Sequence, residues 1–233
     1  MLEVRGLEAA YGASQVLFGI SLDIGEGEVV ALLGRNGAGK TTTLSSLMGL
    51  LPPRQGSIRF RGREIAGREP YEICRLGLGF VPENARLFTS LTVAENLETA
   101  RRSAPDGAVR FGIEQVLELF PDLQLLLNRR AGMLSGGQQR MVGIARTLMG
   151  NPDLLLLDEP SEGLAPLVVE ALLDRLKSLR ATGVTVLLSE QNLRFANELA
   201  DRAYIIEKGE IRYEGTIAEL AAEPEVRSRY LMV

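Results

Sequence analysis

Short apolar runs broken by polar turns dominate the chain. Val29-Val30-Ala31-Leu32-Leu33, Leu154-Leu155-Leu156-Leu157 and Val184-Thr185-Val186-Leu187-Leu188 are too short and too uniformly apolar for amphipathic helices. Such runs predict strands buried on both faces. Residues 2 to 24 alternate instead, which predicts two antiparallel strands around a turn at Tyr11-Gly12-Ala13-Ser14. Gly56-Ser57-Ile58-Arg59-Phe60 and Leu78-Gly79-Phe80-Val81 read as further strands, the second ended by Pro82. From Thr92 to about Gly150 the strand-like runs stop. Thr92 with Glu95 makes a capping box, and Ile113, Val116, Leu117 and Phe120 repeat at helical spacing. Pro105-Asp106-Gly107 is the expected turn inside this helical stretch. Pro166 to Leu179 and Asn192 to Leu199 read as helices, and Tyr204-Ile205-Ile206 with Glu210-Ile211-Arg212-Tyr213 as a hairpin over Lys208-Gly209. The expectation is one α/β domain: residues 1–83 and 151–233 form a nucleotide-binding lobe, and residues 84–150 an inserted helical lobe.

Composition narrows the chemistry more than the fold. The chain has 233 residues, enough for a sizeable core, and a net charge of −4, which argues against a general grip on nucleic acid. Cys74 is the sole cysteine, so neither an intrachain disulfide nor a cysteine zinc cluster is available. There is no histidine. Imidazole acid–base chemistry is therefore excluded, and carboxylates are the expected proton acceptors. No secretory signal is expected from the first residues, and no apolar run approaches the roughly 18 residues of a membrane span.

The chemistry concentrates at Gly34-Arg35-Asn36-Gly37-Ala38-Gly39-Lys40-Thr41, followed by Thr42. It follows an apolar strand and precedes a helical pattern with Leu44, Leu47 and Met48 on one face, the context of a phosphate-binding P-loop. Glycines let consecutive backbone N–H groups turn inward, and the helix start adds partial positive charge. Lys40 is expected to reach the β- and γ-phosphates, and Thr41 to ligate Mg²⁺. Ser135 caps a second helix start beside Gly136 and Gly137. The Leu154–Leu157 strand is expected to end in Asp158-Glu159, which as adjacent strand residues point opposite ways; one carboxylate can serve Mg²⁺ through water and the other can face an attacking water. Tyr11 can stack on a base or simply pack.

A P-loop, then Leu134-Ser135-Gly136-Gly137-Gln138-Gln139, then an apolar strand ending Asp158-Glu159-Pro160, in that order, resembles the ATP-binding-cassette ATPases over nearly the whole chain. The resemblance implies a P-loop NTPase fold with an antiparallel β subdomain and a helical subdomain. It implies adenine stacking on Tyr11, a signature Ser135 to Gln138 serving the other subunit's ATP, an Mg²⁺-linked Asp158 and a catalytic base Glu159. Glu83 stands where the family usually has Gln, Gln191 at its usual His, and Ala165 at its usual Asp. By the same resemblance Glu83 joins Thr41 and Asp158 around the metal. Gln191 contacts the γ-phosphate and the attacking water; its other possible role is to cap the helix near Asn192.

Those departures resemble the ATPase subunits of branched-chain amino acid uptake transporters, a subfamily that also serves amides and urea. The resemblance implies a peripheral subunit on the cytoplasmic face of the membrane, using ATP and Mg²⁺. Its partners would be a second copy or a paralogous ATPase, permease subunits docked near Glu83 to Leu91 and, indirectly, a periplasmic or extracellular binding protein. Lipid or lipopolysaccharide export is the nearest alternative. A non-transport cassette fits less well, because the chain has neither a coiled-coil insert nor a second cassette.

Overall fold

The computed structural model describes residues 1–104 and 106–231. The chain opens with strands β1 (Leu2–Tyr11), β2 (Ser14–Ile24) and β3 (Val29–Leu33), then helix α1 (Lys40–Leu47). Strands β4 (Gln55–Phe60) and β5 (Arg63–Glu64), helix α2 (Pro70–Arg75) and strand β6 (Leu78–Val81) follow. Next come helices α3 (Val93–Glu98), α4 (Ile113–Leu119) and α5 (Gly136–Met149), with 3₁₀ turns at Pro121–Leu126 and Ala131–Met133. The last part holds β7 (Leu154–Asp158), α6 (Pro166–Arg180), β8 (Thr185–Glu190), α7 (Leu193–Leu199), β9 (Arg202–Glu207), β10 (Glu210–Thr216), α8 (Ile217–Ala222) and α9 (Pro224–Tyr230).

Two sheets result. An antiparallel one has the order β2-β1-β4-β5, and a second has the order β10-β9-β3-β8-β7-β6. In the second sheet β6, β7, β8, β3 and β9 run parallel, and β10 is an antiparallel edge. The uniform apolar runs are its central strands, and their side chains divide between two cores as a period of two requires. Leu155 and Leu157 face a core shared with α5, α6 and α7, whereas Leu154 and Leu156 face one shared with the antiparallel sheet and α1. Val29, Ala31 and Leu33 likewise take the first core, and Val30 and Leu32 the second. Between β6 and β7 the described residues form helices and turns but no strand. Of the expected turn at 105–107, Pro105 lies outside the described residues; Gly107 turns there with φ 84° and donates to Ala104 O at 2.8 Å.

The parallel strands β3, β7 and β8 all end on the side that carries the P-loop and Asp158. In open α/β sheets ligands bind outside these carboxyl ends. A wider cleft of about 560 Å³ lies at the opposite ends, lined by Gly27, Asp153 and Thr185. Its two arginines, Arg61 and Arg110, are already paired with Asp153 at 2.6 and 2.9 Å. Topology and chemistry thus agree on the P-loop end.

Candidate active site

The P-loop begins where β3 ends. Gly34 N donates to Glu190 O at 3.2 Å, which fastens the loop start to the end of β8. Gly37 has φ 78° and Gly39 φ 115°, backbone that side chains rarely adopt, so these two positions demand glycine. Gly39 caps α1 and Lys40 is its first residue. Val16, Gly37, Gly39, Lys40, Thr41, Thr42 and Glu159 line a cavity of about 280 Å³ over this helix start. A glycine-rich turn leading into a helix N-terminus makes it an anion site.

The Lys40 ammonium is buried and donates to Gly34 O at 2.7 Å and Arg35 O at 3.0 Å. It also pairs with Glu159 Oε1 at 3.2 Å. Beside it, Asp158 Oδ1 accepts from Thr41 Oγ1 at 3.1 Å and from Ser189 Oγ at 2.7 Å. A hydroxyl and a carboxylate in contact at the edge of a phosphate cradle fit Mg²⁺, which takes few protein ligands and completes its shell with phosphate oxygens and water. Among the described residues no cluster of three carboxylate, cysteine or histidine side chains offers an all-protein metal cage.

Glu159 corrects the expected strand. β7 stops at Asp158, and Glu159 is turned into left-handed backbone with φ 44°. A non-glycine residue there costs about 1–2 kcal/mol. Its N–H is bound by both Ser189 O at 3.1 Å and Ser189 Oγ at 3.0 Å, which fixes the turn. The two carboxylates diverge because the chain turns, rather than through strand alternation. Glu159 Oε2 is buried without a partner, an acceptor that a water can satisfy. Burial, with the Glu162 carboxyl beside it, pushes the Glu159 acid up to about 7 against the opposing pull of Lys40. Glu162 is held low, first by its contact with Glu159; it also accepts from Asn36 Nδ2 at 3.4 Å. A base titrating near neutrality suits proton acceptance from water.

The structure therefore joins Lys40, Thr41, Asp158 and Glu159 in one site. It gives Glu83 no hydrogen bond to Thr41 or Asp158; that carboxylate is exposed and acts on Arg140 through its charge. Tyr11 is exposed at the end of β1, in the tight turn where it pairs with Ser14. The Gln191 side chain is exposed and makes no hydrogen bond among the described residues, although its N–H donates to Glu190 Oε2 at 3.1 Å, one residue past the Gly34 contact. The helix cap belongs to Asn192, whose Oδ1 accepts from Phe195 N at 3.1 Å. Ser135 and Gln138 exchange capping bonds of 3.0 and 3.3 Å and make none to the P-loop of their own chain.

Sequence reasoning missed three residues here. Ser189 donates to the Asp158 carboxylate and accepts the backbone N–H of Glu159. Glu190 is buried, its acid raised by that burial, and it accepts N–H bonds from Ser161, Gln191 and Asn192 at 3.0, 3.1 and 3.1 Å. Arg140 reaches under the Glu159 turn from α5. The available signal was a polar Ser189-Glu190 pair closing a buried apolar run.

Comparison with known proteins agrees with this geometry. Residues 17–162 match the family model described as ABC transporter. The chain is 44% identical, over 99% of both lengths, to the high-affinity branched-chain amino acid transport ATP-binding protein BraG of Pseudomonas aeruginosa. It is 34% identical to the lipopolysaccharide export system ATP-binding protein LptB of Escherichia coli, over 99% of this chain and 96% of that one. Its fold superposes on a dimeric post-hydrolysis state of the ATP-binding cassette MJ0796 bound to ADP and Pi, with TM-score 0.79 and 27% identity over 93% and 99% of the two chains. With a P-loop, an Asp158–Thr41 contact and a Lys40–Glu159 pair on this fold, the chain belongs to the ABC transporter family, as an ATP-hydrolysing cassette subunit.

Proposed function

We propose that this subunit powers uptake of branched-chain amino acids by hydrolysing MgATP at the composite site of a cassette dimer. The buried Lys40–Glu159 pair at 3.2 Å carries the catalytic reading, because it sets a phosphate-binding cation beside a carboxylate whose second oxygen has no partner. Incoming phosphate oxygens offer Lys40 stronger acceptors than the carbonyls of Gly34 and Arg35. Glu159, released from Lys40, orients the attacking water and accepts its proton. Thr41 and Asp158 would hold Mg²⁺, which when bound would neutralise phosphate charge. Residues 34–42 cradle the phosphates and Tyr11 stacks on adenine. Gln191 and Glu83 approach the γ-phosphate side, and Ser135 to Gln138 of one subunit close on the nucleotide of the other. Catalysis here is mainly positioning and electrostatics.

No helix among the described residues is long and apolar enough to cross a membrane. The work therefore passes to separate permease subunits, and the cassette sits peripherally on the cytoplasmic face. A groove of about 440 Å³ between the two proposed lobes supports this, being lined by Leu50, Cys74, Phe80 and Arg146. Leu50, Tyr71 and Phe88 are exposed large hydrophobic side chains, and Phe88 lies within the expected 83–91 segment. Arg146 lies over the Phe88 ring at 5.7 Å and donates to Ala85 O at 2.8 Å and Arg86 O at 3.1 Å. Ala85 and Arg86 are both left-handed, φ 50° and 43°, so the loop is strained and held from below.

Substrate class rests on relatedness: 44% identity to BraG against 34% to LptB favours amino acid uptake over lipopolysaccharide export. The test is reconstitution with cognate permeases and binding protein in vesicles. ATPase activity should rise with leucine, isoleucine or valine, and stimulation by lipopolysaccharide alone would reverse the assignment.

A further inference from the structure

The signature helix does more than present Ser135. Five residues on, Arg140 is buried among backbone oxygens: Nη1 donates to Glu159 O at 3.1 Å and Asp158 O at 3.4 Å, and Nη2 to Glu162 O at 3.4 Å. No other side chain of the described residues donates to these three carbonyls. From the opposite side, Glu190 Oε1 accepts from Ser161 N at 3.0 Å. The turn that carries Glu159 in left-handed backbone is thus clamped on its carbonyl side by a cation and on its N–H side by a carboxylate.

We propose that Arg140 is a positioning residue for hydrolysis, holding the Asp158–Glu162 turn through three carbonyls and tying the signature helix to the catalytic base of its own subunit. It touches no reacting atom. It fixes where Glu159 stands, so its loss acts on turnover and spares nucleotide binding, which depends on the P-loop.

The proposal rests on the MgATPase reading, and the experiment separates the two. Glu159→Gln tests the reading itself: turnover retained in that variant would overturn both. In Arg140→Met, which keeps the stem and removes every donor, kcat should fall about ten- to a hundredfold, as for a reacting group displaced by roughly 1 Å. KM and the ATP dissociation constant in the Glu159→Gln background should stay within about twofold. Arg140→Lys keeps the charge but cannot span three carbonyls, so its kcat should fall between those of wild type and Arg140→Met. A melting temperature lowered with turnover per folded molecule unchanged would overturn the proposal, as would ATP affinity falling in step with kcat. Should Arg140→Met fail to fold, the lysine variant decides alone, and wild-type kcat in it would overturn the proposal.

Discussion

At the scale of single residues, neighbouring side chains of similar type have separate physical roles. Gln191 and Asn192 show this: the helix cap is Asn192, and Gln191 follows the residue whose carbonyl holds Gly34. Gln191→Ala should therefore lose roughly ten- to a thousandfold in turnover, the range for a positioning donor, with little change in melting temperature. Asn192→Ala should cost about 1 kcal/mol of stability with turnover per folded molecule kept. Calorimetry and steady-state kinetics on both variants test the division, and exchanged phenotypes would reverse it. Glu159 gives a pH prediction of definite sign. Its folded acid, raised to about 7 chiefly by burial, binds more protons than the unfolded one between the ordinary carboxylate range and pH 7. Stability from this group is greatest at low pH and falls as pH rises through that window. Glu159→Gln removes the dependence, so its melting temperature should gain on wild type between pH 5 and pH 8. A constant difference would show that Glu159 titrates normally.

At the scale of elements, what was legible followed from periodicity. The runs at 29–33, 154–157 and 184–188 could only be strands buried on both faces, and β3, β7 and β8 are buried throughout. The capping box at Thr92 and the cap at Ser135 fixed the starts of α3 and α5. Short elements carried no such signal: α2 has six residues and β5 has two, below the length at which a period can be read. The end of β7 was misread because apolar periodicity says nothing of the turn at Glu159, which is set by bonds from Ser189 30 residues away in sequence. The site was legible where one contiguous motif supplied it, as in residues 34–41. It was not where three elements converge, as at Arg140, Ser189 and Glu190. Two-sided burial is testable: Leu156→Ala and Leu157→Ala open opposite cores, and each should cost about 2–5 kcal/mol by urea unfolding. A near-neutral result for either would mean that one face of β7 is open to water.

At the scale of the whole molecule, the two parts that the proposed composite site requires stand apart on this chain. The P-loop cradle lies at the carboxyl ends of the central sheet, while Ser135 and Gly136 stand exposed at the start of α5 and make no hydrogen bond to it. An exposed anion-binding helix start has a use if it closes on a second molecule's nucleotide. Glu159→Gln should bind MgATP, stop turnover and convert to a long-lived dimer detectable by light scattering. The interface can then be challenged without touching the fold. A side chain built on Gly137 would lie 2.4 Å from Val168 Cγ1, so substitution there disturbs the packing of α5 on α6. One built on Gly136 meets nothing within 4 Å, and its backbone is open to any residue. Gly136→Asp in the Glu159→Gln background should therefore fold, melt as its parent does and bind ATP at its own P-loop. It should nonetheless stay monomeric, because a carboxylate now faces the partner's γ-phosphate. Dimerisation undiminished in that double variant would move the interface away from the signature helix, and failure of Glu159→Gln to dimerise while saturated with MgATP would remove the composite site altogether.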